Sequence, residues 1–443
     1  MKRKLRSLLV NLLFSARTRA MRRWMAESRR RLLGQAHTVC VFLELDDPYS
    51  YLLSQYLPDL AEHYDIELRL CLTQALGGAY RPRPDMLAQY AEIDCRRLAR
   101  ELGVPFLDKG RAPPVEHRLA LIDVLASHAE SRDFDAELLT VIELYWRGDS
   151  EGTGRRVSNS NRSADGSAML ASSQRRLDKL GHYNGATIHY AGEWYWGLDR
   201  LHYLMTRLDA LGLRRQASSH PRLASIRQAM QVSLPVTPPS AARKLPPLEV
   251  FFSFRSPYSY LSLQRIFAIA DAFGLELRIR PVLPMVMRGM QIPRSKLIYI
   301  ATDTVREAER MQIPFGKFAD PVGIGAERCL AVFFYAQSEK RERGFLINAG
   351  EAIWARGIDV ATDKGMRKVT GSSGLFWPDV KRSMQDDGWR SAVDENRESM
   401  MAAGSWGVPT LRLGEFVVWG QDRDWLLVRH IEELCDSGDG ILV

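Results

Sequence analysis

The sequence repeats itself at an offset of 209 residues, and this repeat limits the folds available to the chain. The segment FFSFRSPYSY at 251–260 is echoed by VFLELDDPYSY at 41–51, with Asp47 where the later segment has Ser256. Three further pairs of segments match in the same order: 65–74 with 275–284, 86–106 with 295–315, and 192–200 with 414–423. Matches that keep one order over such a length predict a duplicated domain.

The pattern within each copy is typical of an α/β fold. In the second copy, residues 248–254 form a short apolar run that predicts a buried strand, and Ser256 with Pro257 supplies the cap and first turn of a helix through about residue 273. The elements predicted after it are a parallel strand at 275–282, helices between 294 and 401, strands at 409–413 and 416–419, and a helix that opens near Asp422. We therefore expect two tandem thioredoxin-like domains, each with an inserted α-helical domain.

Length and composition suit two domains joined by a linker. The chain has 443 residues, of which 46% are hydrophobic and 26% charged, as in soluble globular proteins. Compositional shifts predict a basic amphipathic segment at 1–34, a first domain at 36–213, a Pro- and Ser-rich linker at 214–246 and a second domain at 247–443. We expect the linker to be extended and semi-rigid. A polar stretch at 148–168 is expected to be a mobile loop.

The positive charge of the chain belongs to its N-terminal segment. Residues 1–34 contain eleven Lys or Arg and one Glu, whereas the rest of the chain sums to −2, so nothing indicates a nucleic-acid partner for the folded body. The segment fits a basic helix with Leu8, Leu12 and Leu13 on one face. Three roles remain open for it: a solvated or packing helix, a peripheral contact with an anionic membrane, and a targeting segment.

Cysteine and histidine usage indicates neither a disulfide framework nor a metal site. The five cysteines are widely spaced without a C-x-x-C pair, and no histidines have metal-ligand spacing. A reducing compartment, and hence a cytoplasmic location, is the expectation.

Two junctions between predicted elements of the second copy are candidates for binding a ligand. Ser256 is predicted at a helix N-terminus, where unpaired backbone N–H groups and the helix dipole hold an anion and the hydroxyl can donate to a thiolate. The second junction is Val408-Pro409, directly before a strand. If that bond is cis, the N–H and C=O of Val408 turn outward and can pair with an extended peptide.

The S-P-Y-S, G-V-P-T and W-G-Q-D-R segments, in this order, resemble the DsbA-like superfamily. Within it, they are most similar to the 2-hydroxychromene-2-carboxylate isomerases and the kappa-class glutathione transferases. The resemblance spans residues 248–438 well and 38–205 weakly. It implies a DsbA-like fold, glutathione as cofactor, and a small aromatic-derived substrate.

The resemblance also implies roles for individual residues. Ser256 would stabilise the glutathione thiolate, Val408 beside Pro409 would pair with the cysteinyl unit, and Gln421 and Asp422 would bind the γ-glutamyl group. Lys296 would contribute to the cofactor site, as the first residue of a helix pattern that continues with Tyr299, Asp303 and Arg306.

Some of these positions also have structural explanations. Asp303 and Arg306 recur in the first copy as Asp94 and Arg97, which favours a structural ion pair. Arg255 could assist the thiolate or bind a substrate carboxylate. Met285, Met287 and Met290 could line a substrate pocket or pack in a core or loop.

The first copy lacks the chemistry of the second. Asp47 would place a carboxylate beside an anionic sulfur, Ala186 or Thr187 stands where Pro409 would be, and Leu198 replaces Gln421. We interpret this copy as degenerate. It would pair with the second copy inside one chain, or the protein would form a homodimer.

The leading hypothesis is a glutathione-dependent isomerase. A glutathione transferase differs only in keeping the thioether, and a non-catalytic scaffold is the alternative from another class. A dithiol oxidoreductase is disfavoured because Ser256 and Ser259 occupy both positions where sulfur would be needed.

Overall fold

The computed structural model describes residues 15–106, 115–129, 131, 133–159, 165–215 and 221–437. The chain divides into two compact units. The N-terminal unit is Ala20–Gln231, and the C-terminal unit is Val232–Val443, to which Met1–Arg19 is also assigned.

The first half of the chain alternates strands with a block of helices. Its elements are α1 (Ala16–Leu32), β1 (Thr38–Glu44), α2 (Pro48–Ser54), α3 (Leu57–His63), β2 (Glu67–Thr73), α4 (Pro84–Leu102), α5 (Val115–Ser127), α6 (Phe134–Arg147), α7 (Ser150–Asn159), α8 (Gly166–Leu180), β3 (Thr187–Tyr190), β4 (Glu193–Trp196), α9 (Leu201–Ala210) and α10 (Pro221–Ala229).

The C-terminal unit has the same plan. Its elements are β5 (Leu248–Phe252), α11 (Pro257–Phe273), β6 (Leu277–Pro281), α12 (Arg294–Met311), α13 (Ile324–Ser338), α14 (Glu342–Trp354), α15 (Asp363–Ser372), α16 (Trp377–Ser383), α17 (Trp389–Ala402), β7 (Thr410–Leu413), β8 (Phe416–Trp419) and α18 (Asp424–Asp436). Among the helices that the structure describes, none combines the length and the apolar character needed to cross a bilayer.

Each unit, within its described residues, contains one four-stranded sheet with the same topology. The strand orders are β2-β1-β3-β4 and β6-β5-β7-β8, with the first pair parallel and the other two pairs antiparallel. Phe42 pairs with Thr187 in one sheet, and Phe251 pairs with Thr410 in the other. This register makes Thr187 the counterpart of Thr410, and therefore Ala186 the counterpart of Pro409.

Helix α11 begins and ends where its sequence dictates. Ser256 is the N-cap with extended backbone (φ −92°, ψ 114°), Pro257 occupies the first turn, and Gly274 closes the helix with φ +67°. Strand β5 in front of it is fully buried. The predicted helix at 257–273 and the strands around it are confirmed.

Three predicted segments differ from the structure. The linker at 214–246 is not extended throughout: Pro221–Ala229 is helical, because Leu223 and Ile226 are buried in the N-terminal unit, and 240–244 forms a 3₁₀ turn. The described part of the 148–168 stretch is mostly helical, in α7 and the start of α8. In the N-terminal segment α1 is helical, whereas Leu8, Leu12 and Leu13 lie outside the described residues.

Helix α14 approaches α11 through a glycine. A Cβ at Gly350 would lie 2.4 Å from Cδ2 of Tyr260. Tyr260 is 4% exposed, and its hydroxyl donates to the Pro314 carbonyl at 2.8 Å, so its ring cannot easily move away. The helix that carries Ser256 at its N-terminus is therefore held at a distance that only glycine permits.

We expect Gly350→Ala to lower the free energy of unfolding by about 1–3 kcal/mol, because the added methyl group overpacks the α11–α14 contact. Gly344→Ala in the same helix is the matched control, since no neighbouring side chain in the described part of the chain comes within 4 Å of its Cβ position. That substitution should stabilise by about 0.5–1 kcal/mol through helix propensity. Urea unfolding of both variants measures the difference, and equal effects at the two positions would contradict the close contact.

Candidate functional site

Ser256 lies at the N-terminal end of α11, directly after the turn that follows β5. Its Oγ accepts a hydrogen bond from the Ser259 N–H at 3.1 Å, which caps the helix. The residue is half-buried. A hydroxyl in this position sits among the first N–H groups of a 17-residue helix, where the dipole is positive.

Ser256 and Val408 meet across 152 residues of sequence. The Ser256 hydroxyl donates to the Val408 carbonyl at 3.3 Å. The Val408-Pro409 peptide bond is cis, the conformation on which the predicted peptide contact depends. The two junctions predicted from sequence therefore form one site.

The loop before β7 is fixed by hydroxyl groups and by an aromatic ring. The Thr410 hydroxyl donates to the Gly407 carbonyl at 2.7 Å and lies 2.7 Å from the Ser405 hydroxyl. A Cβ at Gly407 would lie 2.4 Å from the Trp419 ring, so the indole stands directly against the backbone. This packing holds Val408 in place beside Ser256.

Gln421 follows β8, and a residue of the helical insertion holds its side chain. It is 2% exposed, and its Nε2 donates to Glu307 of α12 at 2.9 Å; Glu307 in turn pairs with Arg310 at 2.8 Å. Its Oε1 has no hydrogen-bond partner in the described part of the chain. Gln421 thus connects the sheet to α12 and retains one unused acceptor.

The last helix begins two residues later than expected, with Asp422 ahead of its cap. The N-cap of α18 is Arg423, which makes no side-chain capping bond within the described residues. Asp422 is half-buried, with its carboxylate 3.8 Å from the Arg423 guanidinium. The buried carboxylate is Asp424, which pairs with Arg265 at 2.5 Å; burial raises the pKa of Asp424 to about 6. Sequence reasoning missed Asp424, although it stands close to the predicted Asp422.

Lys296 is half-buried near the start of α12, whose later turns have structural roles. Asp303 accepts hydrogen bonds at 2.8 Å from both Arg306 and the Tyr258 hydroxyl, so the predicted structural ion pair is confirmed. In the N-terminal unit the hydroxyl of Tyr49 donates to Asp94 at the same distance. These acids fix the helical insertion to the helix after the junction.

Three buried polar groups around the junction are unsatisfied within the part of the chain that the structure describes. The hydroxyls of Ser253 and Ser259 and the indole N–H of Trp406 have no hydrogen-bond partner among the described residues, and all three residues are at most 4% exposed. Buried polar groups are normally satisfied, so these three groups are candidates for bonding to a ligand or to solvent. In the sequence, only the position of Ser253 directly after strand β5 could have indicated a role at this junction.

Arg255 is engaged by the protein itself. Its guanidinium makes a bidentate pair with Asp320, with Nε–Oδ1 and Nη2–Oδ2 distances of 2.8 and 2.9 Å. In the N-terminal unit the counterpart of Arg255 is Asp46, which pairs with Arg118. In each unit an ion pair thus joins the residue before the N-cap to the helical insertion. The residue before the N-cap is the cation in the C-terminal unit and the anion in the N-terminal unit. Because Arg255 is occupied by Asp320, neither role expected for it, on the thiolate or on a substrate, is supported.

The corresponding junction of the N-terminal unit is filled by its own side chains. Asp47 caps α2 by accepting from the backbone N–H and the hydroxyl of Ser50 at 2.9 and 2.7 Å. The Ser50 Oγ also accepts the Ala186 N–H at 3.0 Å, a donor that Pro409 lacks. The hydroxyl and amide groups at this junction therefore satisfy one another.

Glu44 completes this internal network. Its carboxylate is 1% exposed, accepts the Gly185 N–H at 2.8 Å and pairs with Arg81 at 2.7 Å. By sheet register Gly185 is the counterpart of Val408, so an internal carboxylate uses the backbone donor that an external ligand would need. Burial, and to a lesser extent the charge of Asp47, raises the pKa of Glu44 to about 7, although Arg81 opposes both.

The comparisons with known proteins concern the C-terminal unit. Residues 247–432 match the family model described as DSBA-like thioredoxin domain. A 2-hydroxychromene-2-carboxylate isomerase of Pseudomonas putida is 26% identical over 198 residues, which cover 42% of this chain and 95% of that protein. The enzyme of the same name from Sphingobium xenophagum is 23% identical over 184 residues, covering 40% and 93%.

A solved structure of 2-hydroxychromene-2-carboxylate isomerase is also similar. It is 24% identical, covers 44% of this chain and 99% of that chain, and gives a TM-score of 0.39. Together with the family-model match, the sheet and inserted helices identify a DsbA-like thioredoxin fold in the C-terminal half of the chain. The relatives from Pseudomonas putida and Sphingobium xenophagum are named as isomerases, which associates this half of the chain with an enzyme family.

The buried acids of the N-terminal unit predict a pH dependence. The pKa of Glu44 in the folded chain, about 7, lies above its ordinary value of 4.5, so between these values the folded state binds more protons than the unfolded state. The contribution of Glu44 to the free energy of unfolding should be fully present below pH 4.5 and be lost as the pH rises to about 7. This negative slope is opposed by His182 and His189, whose pKa values burial lowers to about 3 and about 4. Asp47→Ser should weaken this slope, because Asp47 raises the pKa of Glu44 and serine can still cap α2. Hydrogen exchange of β1 and α2 against pH measures it, and an unchanged slope would contradict the coupling.

The exchanged ion pairs predict rescue by charge reversal. Arg255→Asp and Asp320→Arg should each destabilise the C-terminal unit, whereas the double variant reproduces the arrangement of Asp46 and Arg118. Since Asp320 is 43% exposed, we expect a coupling free energy of about 0.5–1 kcal/mol in a double-mutant cycle from thermal unfolding. Strict additivity of the two single substitutions would show that the pair contributes nothing.

Proposed function

We propose that the C-terminal unit is a glutathione-dependent isomerase of the 2-hydroxychromene-2-carboxylate isomerase type, acting on a small aromatic-derived substrate. The observation that carries the proposal is the meeting of the Ser256 hydroxyl with the Val408 carbonyl at a helix N-terminus, 3.3 Å apart. The names of the relatives of this half of the chain favour an isomerase over a transferase.

The residues present fit glutathione as a cofactor. Ser256 offers a rotatable hydroxyl that can leave the Val408 carbonyl and donate to a sulfur anion. Val408 would then bind the cysteinyl backbone, with Pro409 between it and strand β7. The orphaned hydroxyls of Ser253 and Ser259 in this described region are consistent with a site whose polar groups are completed by a ligand.

The γ-glutamyl end would lie beyond β8. Asp422 supplies a half-buried carboxylate for an ammonium group, and the Oε1 of Gln421, unused among the described residues, is a second acceptor of the right kind. Glu307 orients the Gln421 amide by accepting from its Nε2. Lys296, half-buried near the start of α12, would contribute a cation for a carboxylate of the cofactor.

In this mechanism the protein activates a sulfur without using a side-chain cation. The helix N-terminus and the Ser256 hydroxyl favour the thiolate over the thiol, which lowers the thiol pKa. Arg255, the nearest cation in sequence, is neutralised by Asp320. When bound, glutathione supplies a nucleophile that adds to a conjugated carbon of the substrate and leaves again unchanged. Residues around Met285–Arg288 remain candidates for contacts with the aromatic part.

We further infer that the two units arose by duplication and that the N-terminal unit has lost the cofactor site. The support is their common strand order and register, together with Glu44 and Asp47 at the position of the anion site. A cytoplasmic location agrees with the proposal, since all five cysteines are free and glutathione is kept reduced there.

Ser256→Asp tests the proposal without removing the helix cap. Aspartate caps the same position in the N-terminal unit, so α11 should keep its stability, whereas a carboxylate beside the sulfur should repel the thiolate. We expect glutathione affinity to fall at least about tenfold, or 1.4 kcal/mol, by titration calorimetry. The matched control, Asp47→Ser, should leave the affinity unchanged.

Three results would overturn parts of the assignment. Failure of the native chain to bind glutathione at millimolar concentration would end the glutathione proposal, and unchanged binding by Ser256→Asp would place the sulfur elsewhere. Accumulation of a stable thioether product from an electrophilic aromatic substrate would replace the isomerase by a transferase.

A further inference from the structure

Helix α1 exposes a continuous apolar stripe. Met21, Trp24, Met25 and Leu32 are spaced so that they fall on one face, and they are 55, 70, 46 and 86% exposed. An indole and three long apolar side chains so exposed on one helix face form a surface that a soluble chain rarely leaves uncovered.

The opposite face of α1 is tied to the N-terminal unit. Arg23 makes two hydrogen bonds to the carboxylate of Glu193 in β4, at 2.6 and 2.7 Å. Glu27 pairs with Arg30 at 2.8 Å and with Arg31 at 2.7 Å. At 100° per residue, Arg23 and Arg30 lie on the side of the helix away from the stripe. The ion pair to Glu193 therefore holds the helix with its apolar face outward.

Cations border the stripe. Arg22 and Arg29 lie along one edge and Arg31 along the other, and all three are exposed. The helix as a whole has seven arginines and one glutamate. A surface that complements it must be apolar in the middle and anionic at the edges, which describes the headgroup region of an anionic bilayer.

We propose that α1 is a membrane-surface helix that docks the N-terminal unit on anionic lipid. Its 17 residues extend about 26 Å in the plane of the bilayer, with Trp24 and Leu32 below the headgroups and Arg22 and Arg29 on the lipid phosphates. Duplex nucleic acid would satisfy the arginines but offers nothing to Trp24 or Leu32. This proposal is independent of the glutathione site.

Flotation of the full chain with lipid vesicles tests the proposal. The protein should float with vesicles of phosphatidylglycerol and phosphatidylcholine, but not with phosphatidylcholine alone, and salt should weaken the association. The double variant Trp24→Ser, Leu32→Ser should reduce partitioning at least about tenfold, since both the apolar area and the interfacial indole are lost. Phe376→Ser is the matched control, because Phe376 is 65% exposed on the C-terminal unit.

The outcomes separate the possible partners. Loss of flotation by the double variant alone, with unchanged glutathione binding and thermal unfolding, supports the bilayer. No flotation of the native chain at low ionic strength overturns it, as does a double variant that floats like the native chain. Binding of the native chain and the double variant to a DNA duplex with equal affinity, without vesicle binding, would assign the helix to nucleic acid instead.

Discussion

The polarity of each junction depends on the group that occupies the N-terminal end of one helix in each unit. In the C-terminal unit the hydroxyl of Ser256 caps α11 and touches the Val408 carbonyl. The surrounding contacts keep these groups together: Gly350 lets α14 approach α11, and Trp419 packs on Gly407 next to Val408. A neutral cap leaves the positive end of the helix dipole available to an external anion.

In the N-terminal unit the cap is an acid, and the junction is closed by hydrogen bonds among its own groups. The carboxyl group of Asp47, whose pKa is raised by burial, accepts the Ser50 N–H at the helix end, and Glu44 takes the Gly185 N–H and the Arg81 guanidinium. One backbone N–H contributes to the difference between the units: Ala186 donates to Ser50, whereas Pro409 has no N–H and leaves the corresponding Ser259 hydroxyl without that donor. Where the polar groups of a junction already bond to one another, a ligand adds no hydrogen bond that was missing. The same sheet topology therefore carries a closed junction in one unit and an incompletely bonded one in the other.

Sequence was sufficient wherever the deciding interactions are local. The cap at Ser256, the proline of the first turn and the alternation of short strands are read from neighbouring residues, and they placed α11, β5 and β8 correctly. The repeat also predicted that Asp303 and Arg306 form a structural pair. Non-local contacts were missed: Arg255 with Asp320 spans 65 residues, Glu44 with Gly185 spans 141, and α10 is helical because Leu223 and Ile226 bury. Composition suggested an extended linker there, but tertiary burial decides the conformation.

The exchanged ion pairs allow the two units to share one sheet topology while the groups at their junctions differ. The same connection, between the residue before the cap and the helical insertion, is made by Asp46 with Arg118 and by Arg255 with Asp320. The charge of the residue before the cap can therefore have either sign, provided that its partner has the opposite one. These residues have little electrostatic effect on the helix N-terminus, because each of their charges is paired with an opposite charge. The cap residue itself therefore sets the polarity at that end, and under the proposed function a carboxylate at its position would repel an anionic sulfur.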